Sequence, residues 1–325
     1  MGREVTCVSV VLSFYNERNI LPELLQRMRA VFSSLIEKKF TESYELIFVN
    51  DNSTDESEKF LISELDKGDI VLINMSRNFG VSECVLAGMA NSRGDVVVYM
   101  DADLQDPPEV IPQLLEAWRA DAEADVIYTT RIRRHGEHWL KMLVTKIGYR
   151  FINIISDIEL QLDSGDFKLL SRRAVDNLLQ LKEDKPYMRG LVSWIGFKQV
   201  QVFYDRSERF DGRANTKMKV LSRKVIYYWL DRALISFSDA PLKVMLLAGF
   251  VLSTSSLLYI FVVIGQKILG ISIPGLSAIM SAILFLGGIQ MIMLGFIGLY
   301  VGAIFREVKR RPRYIVKNIM GVKNN

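Results

Sequence analysis

Cysteine and histidine are nearly absent, with two of each in 325 residues. Cys7 and Cys84 cannot build a disulfide framework, and their apolar surroundings read as buried strand and helix, where reduced core thiols are expected. His135 and His138 have one-turn helical spacing, but their acidic neighbour Glu137 would point off that face, so a histidine metal site is a poor reading. Charge of one sign is lacking too. Forty-one Lys and Arg against 37 Asp and Glu leave a net charge of +4, and bulk electrostatics of that size imply no nucleic-acid partner. A secretory signal is also missing: residues 5–14 run into Tyr15-Asn16-Glu17-Arg18 without a small-residue cleavage site. The first part of the chain is therefore expected in the cytosol.

Apolar sequence, by contrast, is plentiful, with hydrophobic residues making up 50% of the chain. From residue 5 to about 126, continuous apolar runs alternate with stretches of helical spacing. Residues 8–14, 44–49, 70–74 and 95–100 read as buried strands; residues 20–35, 54–65 and 82–90 read as helices between them. This rhythm predicts an α/β fold with a mostly parallel, Rossmann-like sheet covered on both faces. Ligands of such sheets bind beyond the carboxyl ends of the strands. Tyr15, Asn16, Glu17, Asp51, Arg77, Asn78, Asp101 and Asp103 would all emerge there.

Asp101-Ala102-Asp103 carries the most chemistry. Two carboxylates one residue apart at a strand end suit a hard divalent cation that also takes phosphate oxygens as ligands. Asp51 follows the second strand and can accept hydrogen bonds from a ribose or base edge, while Ser53 to Asp55 can cap the next helix. Arg77-Asn78-Phe79-Gly80 offers a guanidinium that can clamp a diphosphate, with a glycine for the turn. In Gln105-Asp106-Pro107-Pro108-Glu109, Asp106 is expected as a helix cap with Pro107 at the first helical position, and Gln105 within reach of a sugar. Arg131 and Arg134, with Arg206 and Arg209, are candidate clamps for a second phosphate; solvated surface charge is the plainer reading of each alone.

Residues 217–240 mix Arg223, Lys224, Tyr227, Tyr228 and Trp229 at helical spacing, as an amphipathic helix in a membrane interface does. Two uncharged runs follow, 244–264 and 271–305, each exceeding the roughly 20 residues a membrane-crossing helix needs. With the short connection around Gln266 and Lys267 they predict a transmembrane hairpin (about 244–264 and 276–305). Positive charge lies outside both ends, at Arg232 and Lys243 and in the 306–317 cluster, which places both ends in the cytosol. Gly298 and Gly302 have the spacing that lets such helices approach closely, so a homo-oligomer is one reading and packing within the hairpin another.

Taken in order, residues 8–19, 49–55, 76–80, 100–109 and 163–168 resemble family 2 glycosyltransferases with the A-type fold. Adding the hairpin, the chain resembles the polyprenyl-phosphate glycosyltransferases, the group of bactoprenol glucosyltransferases and dolichol-phosphate mannose synthases. The resemblance implies transfer of a sugar from a nucleotide-diphosphate sugar to a polyprenyl phosphate, with inversion. It implies Mg²⁺ or Mn²⁺ on Asp101 and Asp103, a nucleoside contact at Asp51, and donor positioning or a base role for Asp163 and Asp166 in Asp163-Ser164-Gly165-Asp166-Phe167-Lys168. UDP-glucose is the expected donor and undecaprenyl phosphate the acceptor, ahead of a GDP-mannose-dependent synthase. Asn50 and Asn52 stand where Asp and Gly often flank Asp51, and the 212–217 loop matches only loosely. A processive polysaccharide synthase is disfavoured by a single hairpin and by the lack of a Gln-x-x-Arg-Trp motif. A membrane-tethered, non-catalytic nucleotide-sugar-binding protein is the remaining alternative. The expected organisation is a catalytic domain over 1–216, an interfacial segment over 217–240, two membrane helices over 241–305 and a basic cytosolic tail over 306–325. The membrane is expected to be a bacterial plasma membrane.

Overall fold

The computed structural model describes residues 3–132, 164–206, 210, 240–269 and 275–321. These fall in two compact units, one holding residues up to 206 and 312–321, the other 240–269 and 275–311.

The first unit is built on β1 (Cys7–Phe14), β2 (Ser43–Asn50), β3 (Ile70–Met75) and β4 (Val96–Asp101), which pair in parallel. Both faces of these strands are buried, which is why they read as unbroken apolar runs. α1 (Leu21–Glu37) buries Leu21, Leu24, Leu25, Met28, Phe32 and Leu35, a stripe at helical spacing. Together with α4 (Ile111–Ala120) it packs on the face that carries Val8, Val10 and Leu12. Between them in sequence come α2 (Ser57–Glu64) and α3 (Val81–Ala90). α3 lies against the other face, where a Cβ on Gly88 would run into Val11 and Val49.

Beyond β4 the sheet changes character. β5 (Val126–Arg131) and β6 (Ser164–Ser171) pair antiparallel, β6 pairs antiparallel with β4, and β7 (Gln199–Tyr204) joins β5 in parallel. α5 (Arg172–Gln180) is capped by Ser171, whose Oγ accepts the Ala174 N–H, and α6 (Met188–Trp194) follows. Trp194 ends α6 exposed to solvent, not in the core.

The second unit consists of α7 (Ala240–Ile268) and α8 (Leu276–Val308), which touch each other. Both expose large apolar side chains, among them Leu246, Phe250, Met291 and Ile292. Within α8, Phe285–Val308 is long and apolar enough to cross a membrane by length and composition. The chain then returns to the first unit as β8 (Val316–Met320), antiparallel to β3, giving the order β7-β5-β6-β4-β1-β2-β3-β8 among the described strands. This is the mixed, mostly parallel Rossmann-like sheet of the A-type glycosyltransferase fold. All but the last residue of the predicted interfacial segment (217–240), His135, His138 and the 212–217 loop lie outside the described residues.

Candidate active site

Register levels the functional loops. Phe14 pairs with Asn50 and Ser13 with Asp101, so β1, β2 and β4 deliver their following loops to one edge. An open cleft lies there, lined by Tyr15, Glu17, Asp51, Cys84, Asp101 and Asp103 with Ser13, Phe14, Val81 and Ala102.

Asp101 ends a buried strand. Burial pushes its carboxyl up to about 7, and the nearby negative charges of Asp166, Asp103 and Asp106 add to the push while Arg206 opposes it. Asp103 is turned by its own loop: its Oδ1 accepts the Gln105 N–H at 3.0 Å, and Leu104 between them sits at φ 57°. The two carboxylates reach the cleft from a strand terminus and a tight turn.

Asp51 is 6% exposed and knits two loops. Its carboxylate accepts the backbone N–H of Phe79 at 2.7 Å and of Gly80 at 3.0 Å. Gly80 adopts φ 113°, a conformation closed to other residues without strain. Asn78 points its amide at the Asp51 carbonyl, 3.4 Å away, and the Arg77 guanidinium lies 3.9 Å from the Phe79 ring centre. Asn16, at φ 59°, takes the Thr54 N–H on its Oδ1 at 2.7 Å while its own N–H donates to Ser53 Oγ. The Glu17 N–H donates to Ser57 Oγ at 3.1 Å. Asp55 accepts the Ser57 N–H at 3.0 Å just before α2, but the cap position is Glu56, not Asp55, which corrects the capping expectation.

A second group stands behind Asp101. Asp166 is held by Arg189 through two parallel bonds of 2.8 and 2.6 Å. Burial alone would raise its carboxyl, but the Arg189 fork and the positive charges of Lys168 and Arg131 hold it below the usual range. Lys168 is buried between β4 and β5, opposite Tyr99 and Tyr128, and burial lowers its ammonium to about 8 against the pull of Asp166. Arg206 donates to Gln105 Oε1 at 2.6 Å, and its Nε lies 3.6 Å from Asp106.

Asp106 corrects one expectation. The short 3-10 turn that follows spans Pro108–Val110 with Pro107, not Asp106, at its cap position. Asp106 is buried and instead accepts a hydrogen bond from the Tyr204 hydroxyl, which also bonds to Arg131. Two adjacent prolines fix an extended entry, which carries the carboxylate past the turn it would otherwise cap. Arg131 and Arg206 are thereby joined through Tyr204 and Asp106. Asp163, Arg134 and Arg209 lie outside the described residues. Lys168, Asp106 and Tyr204 are not among the site residues expected from the sequence, and Arg189 lies in a segment, 187–190, that resembles the family's acceptor side. Only the register of β6 against β4 and β5 places Lys168 beside the carboxylates.

Residues 9–179 match the glycosyl transferase family 2. The chain is 40% identical over 317 residues to the uncharacterized glycosyltransferase sll0501 of Synechocystis sp., covering 97% of this chain and 96% of that one. It is 36% identical to the SfII prophage-derived bactoprenol glucosyl transferase of Shigella flexneri, over 95% of this chain and 97% of that one. A solved structure of glucosyl-3-phosphoglycerate synthase from Mycobacterium tuberculosis, with Mn²⁺, UDP and phosphoglyceric acid, is similar at a TM-score of 0.48 and 21% identity, covering 70% of this chain and 78% of that one. The chain belongs to glycosyl transferase family 2 and is a nucleotide-sugar glycosyltransferase.

Proposed function

We propose that this enzyme transfers glucose from UDP-glucose to undecaprenyl phosphate at the cytosolic face of a bacterial plasma membrane, with inversion at the anomeric carbon. The observation that carries the reading is the cleft at the strand ends, where Asp101 and Asp103 meet Asp51 and Glu17. The lipid acceptor draws support from the relatives named bactoprenol glucosyl transferase and from the apolar length of α8. In this reading α7 and α8 form the membrane hairpin, and the chain after α8 returns to the cytosol, where β8 rejoins the catalytic sheet instead of forming a free tail.

The site residues fit a divalent cation. Burial, with the negative charges of Asp166, Asp103 and Asp106 added to it, pushes Asp101 up to about 7, and a bound cation would relieve the carboxylates' share of that push. Among the described residues no group of three or more His, Cys, Asp or Glu is placed to hold a metal ion by itself. Asp101 and Asp103 would hold a hard ion, Mg²⁺ or Mn²⁺, of the kind that takes one or two carboxylates beside substrate phosphate oxygens. Bound there, it supplies positive charge to the leaving nucleoside diphosphate.

Tyr15, Asn16, Glu17, Asp51, Arg77, Asn78 and Gln105 surround the nucleotide sugar in this assignment. Asp51 acts in part by fixing the Phe79–Gly80 turn. Arg131 and Arg206, with Arg134 and Arg209, take the acceptor phosphate. That phosphate is already an anion at neutral pH, so orientation rather than proton removal governs the step. Asp166, clamped by Arg189, then positions the sugar, and Asp163 keeps the choice between positioning and base.

The test is transfer in detergent from radiolabelled UDP-glucose to undecaprenyl phosphate with Mg²⁺, beside Asp103→Ala and EDTA controls. A labelled lipid that vanishes in both controls is expected, with Asp103→Ala down by at least about a hundredfold, since even residues behind metal ligands cost 10–100-fold. Product from GDP-mannose instead would move the donor assignment. Nucleotide binding without any product would favour the non-catalytic alternative.

A further inference from the structure

β8 lies outside the 9–179 span that matches the family, yet it completes the sheet at the β3 edge. It pairs Leu72 with Met320, Ile73 with Ile319, Asn74 with Asn318 and Met75 with Val316, with an irregularity between Asn74 and Met75. Just past the end of β3, the Ser76 N–H donates to the Ile315 carbonyl at 2.9 Å. Ser76 opens the loop that runs through Arg77 to Gly80 and onto the Asp51 carboxylate. Upstream, Arg313 Nη1 donates to the Leu181 carbonyl, fastening the approach to β8.

Three asparagines cross the sheet in line with that edge. Asn74 Nδ2 donates to Asn318 Oδ1 at 2.9 Å and to Glu58 Oε1 at 3.0 Å, and Asn50 Nδ2 donates to Asn74 Oδ1 at 2.8 Å. Asn50 Oδ1 then accepts the Ser53 N–H at 2.8 Å, and Ser53 Oγ accepts the Asn16 N–H at 3.0 Å. Asn50 and Asn74 are 2% and 3% exposed, so each missing partner there costs the desolvation of a buried polar group. A carboxamide both donates and accepts, so asparagine can pass the chain of bonds onward. An ionised aspartate at 50 would accept from Ser53 but could not donate to Asn74. This accounts for Asn50 at a position where Asp is frequent in the family.

We propose that Asn318, Asn74 and Asn50 form a positioning relay through which the C-terminal strand presets the two loops around Asp51. The relay sets affinity for the nucleoside diphosphate and leaves the chemical step alone. This rests on reading the cleft as the donor site. Asn318 is exposed, so its substitution does not unpack the core.

The test uses the full chain in detergent, with UDP and GDP binding by calorimetry, transfer kinetics and a melting curve. Asn318→Ala is expected to weaken nucleotide binding and raise donor KM about three- to tenfold, the size of one hydrogen bond, with kcat within about twofold. Asn318→Asp, which keeps the acceptor for Asn74, is expected to bind like wild type. Asn74→Ala, which strands the Asn50 amide, is expected to weaken binding further. Unchanged nucleotide affinity in Asn318→Ala and Asn74→Ala, with or without a lower Tm, would overturn the relay. So would an Asn318→Asp variant as weak as Asn318→Ala. Failure of the wild-type protein to bind either nucleotide would overturn the donor-site reading, and the relay with it.

Discussion

Asp101 places a proton and a cation in competition. With its carboxyl raised to about 7 by burial and by Asp166, Asp103 and Asp106, the metal-free side chain is half protonated at neutral pH. A hard cation binds the ionised form, so its affinity falls as pH drops below about 7 and levels off above it. The same raised value means the metal-free fold loses stability as pH rises from the ordinary carboxylate range through about 7. Mg²⁺ should therefore raise Tm more at pH 8 than at pH 6, and EDTA-treated protein should melt lower at pH 8. A Mg²⁺-induced shift that is equal at the two pH values, or larger at pH 6, would remove Asp101 from the cation site. Arg189 invites a sharper substitution. Its fork fixes the plane of the Asp166 carboxylate, whereas lysine keeps the charge and loses the second bond. Arg189→Lys is expected to lower kcat about tenfold, with nucleotide affinity and Tm near wild type. Unchanged kcat would make the Arg189 pair a surface ion pair with no part in transfer.

Among the elements, α3 shows how tightly the sheet sets its neighbours. Its helix approaches β1 and β2 through Gly88, where an added Cβ would overlap Val11 Cγ1 and press on Val49 Cγ2 at 3.1 Å. Both valines are buried strand residues with nowhere to turn. Gly88→Ala is expected to destabilise by about 1–3 kcal/mol through overpacking, read as a lower Tm and a lower denaturant midpoint with an unchanged slope. A variant as stable as wild type would mean that α3 shifts freely on the sheet. The elements were also what the sequence made legible. β1 to β4 could be read because parallel strands buried on both faces are unbroken apolar runs, and Asp101 and Asp103 because they end one such run. β8 was not legible. Lys317 and Asn318 look like tail residues, and nothing local reveals an edge strand that pairs with residues about 240 positions away. Asp106 misled for a related reason, since its partner Tyr204 comes from β7 and a local rule sees only the prolines beside it. Lys168 was hidden similarly: a lysine in a strand reads as exposed until the pairing with Tyr99 and Tyr128 buries it.

At the scale of the whole molecule, the catalytic sheet is interrupted in sequence by the long apolar helices and then resumed. Among the described residues, Leu246, Phe250, Met291 and Ile292 of α7 and α8 are exposed, and large apolar patches of that kind mark a partner or a membrane. Arg306 lies in the last turn of α8, Lys309, Arg310 and Arg311 follow it directly, and β8 comes within five residues of Arg311. In the proposed reading, the strand after the hairpin lies on the same side of the membrane as the catalytic sheet, because β8 pairs with β3. If α7 and α8 both cross, the two ends share a side, and the cationic cluster makes that side the cytosol. In sealed right-side-out vesicles a C-terminal tag and an N-terminal tag should both resist added protease. In inverted vesicles both should be cut, and alkaline carbonate should leave the chain with the membrane. Protection of one tag in each orientation would require an odd number of crossings, which the β3–β8 pairing forbids for a folded catalytic unit, so that result would overturn the hairpin. Release by carbonate would overturn the crossing itself and leave α7 and α8 to be covered by protein.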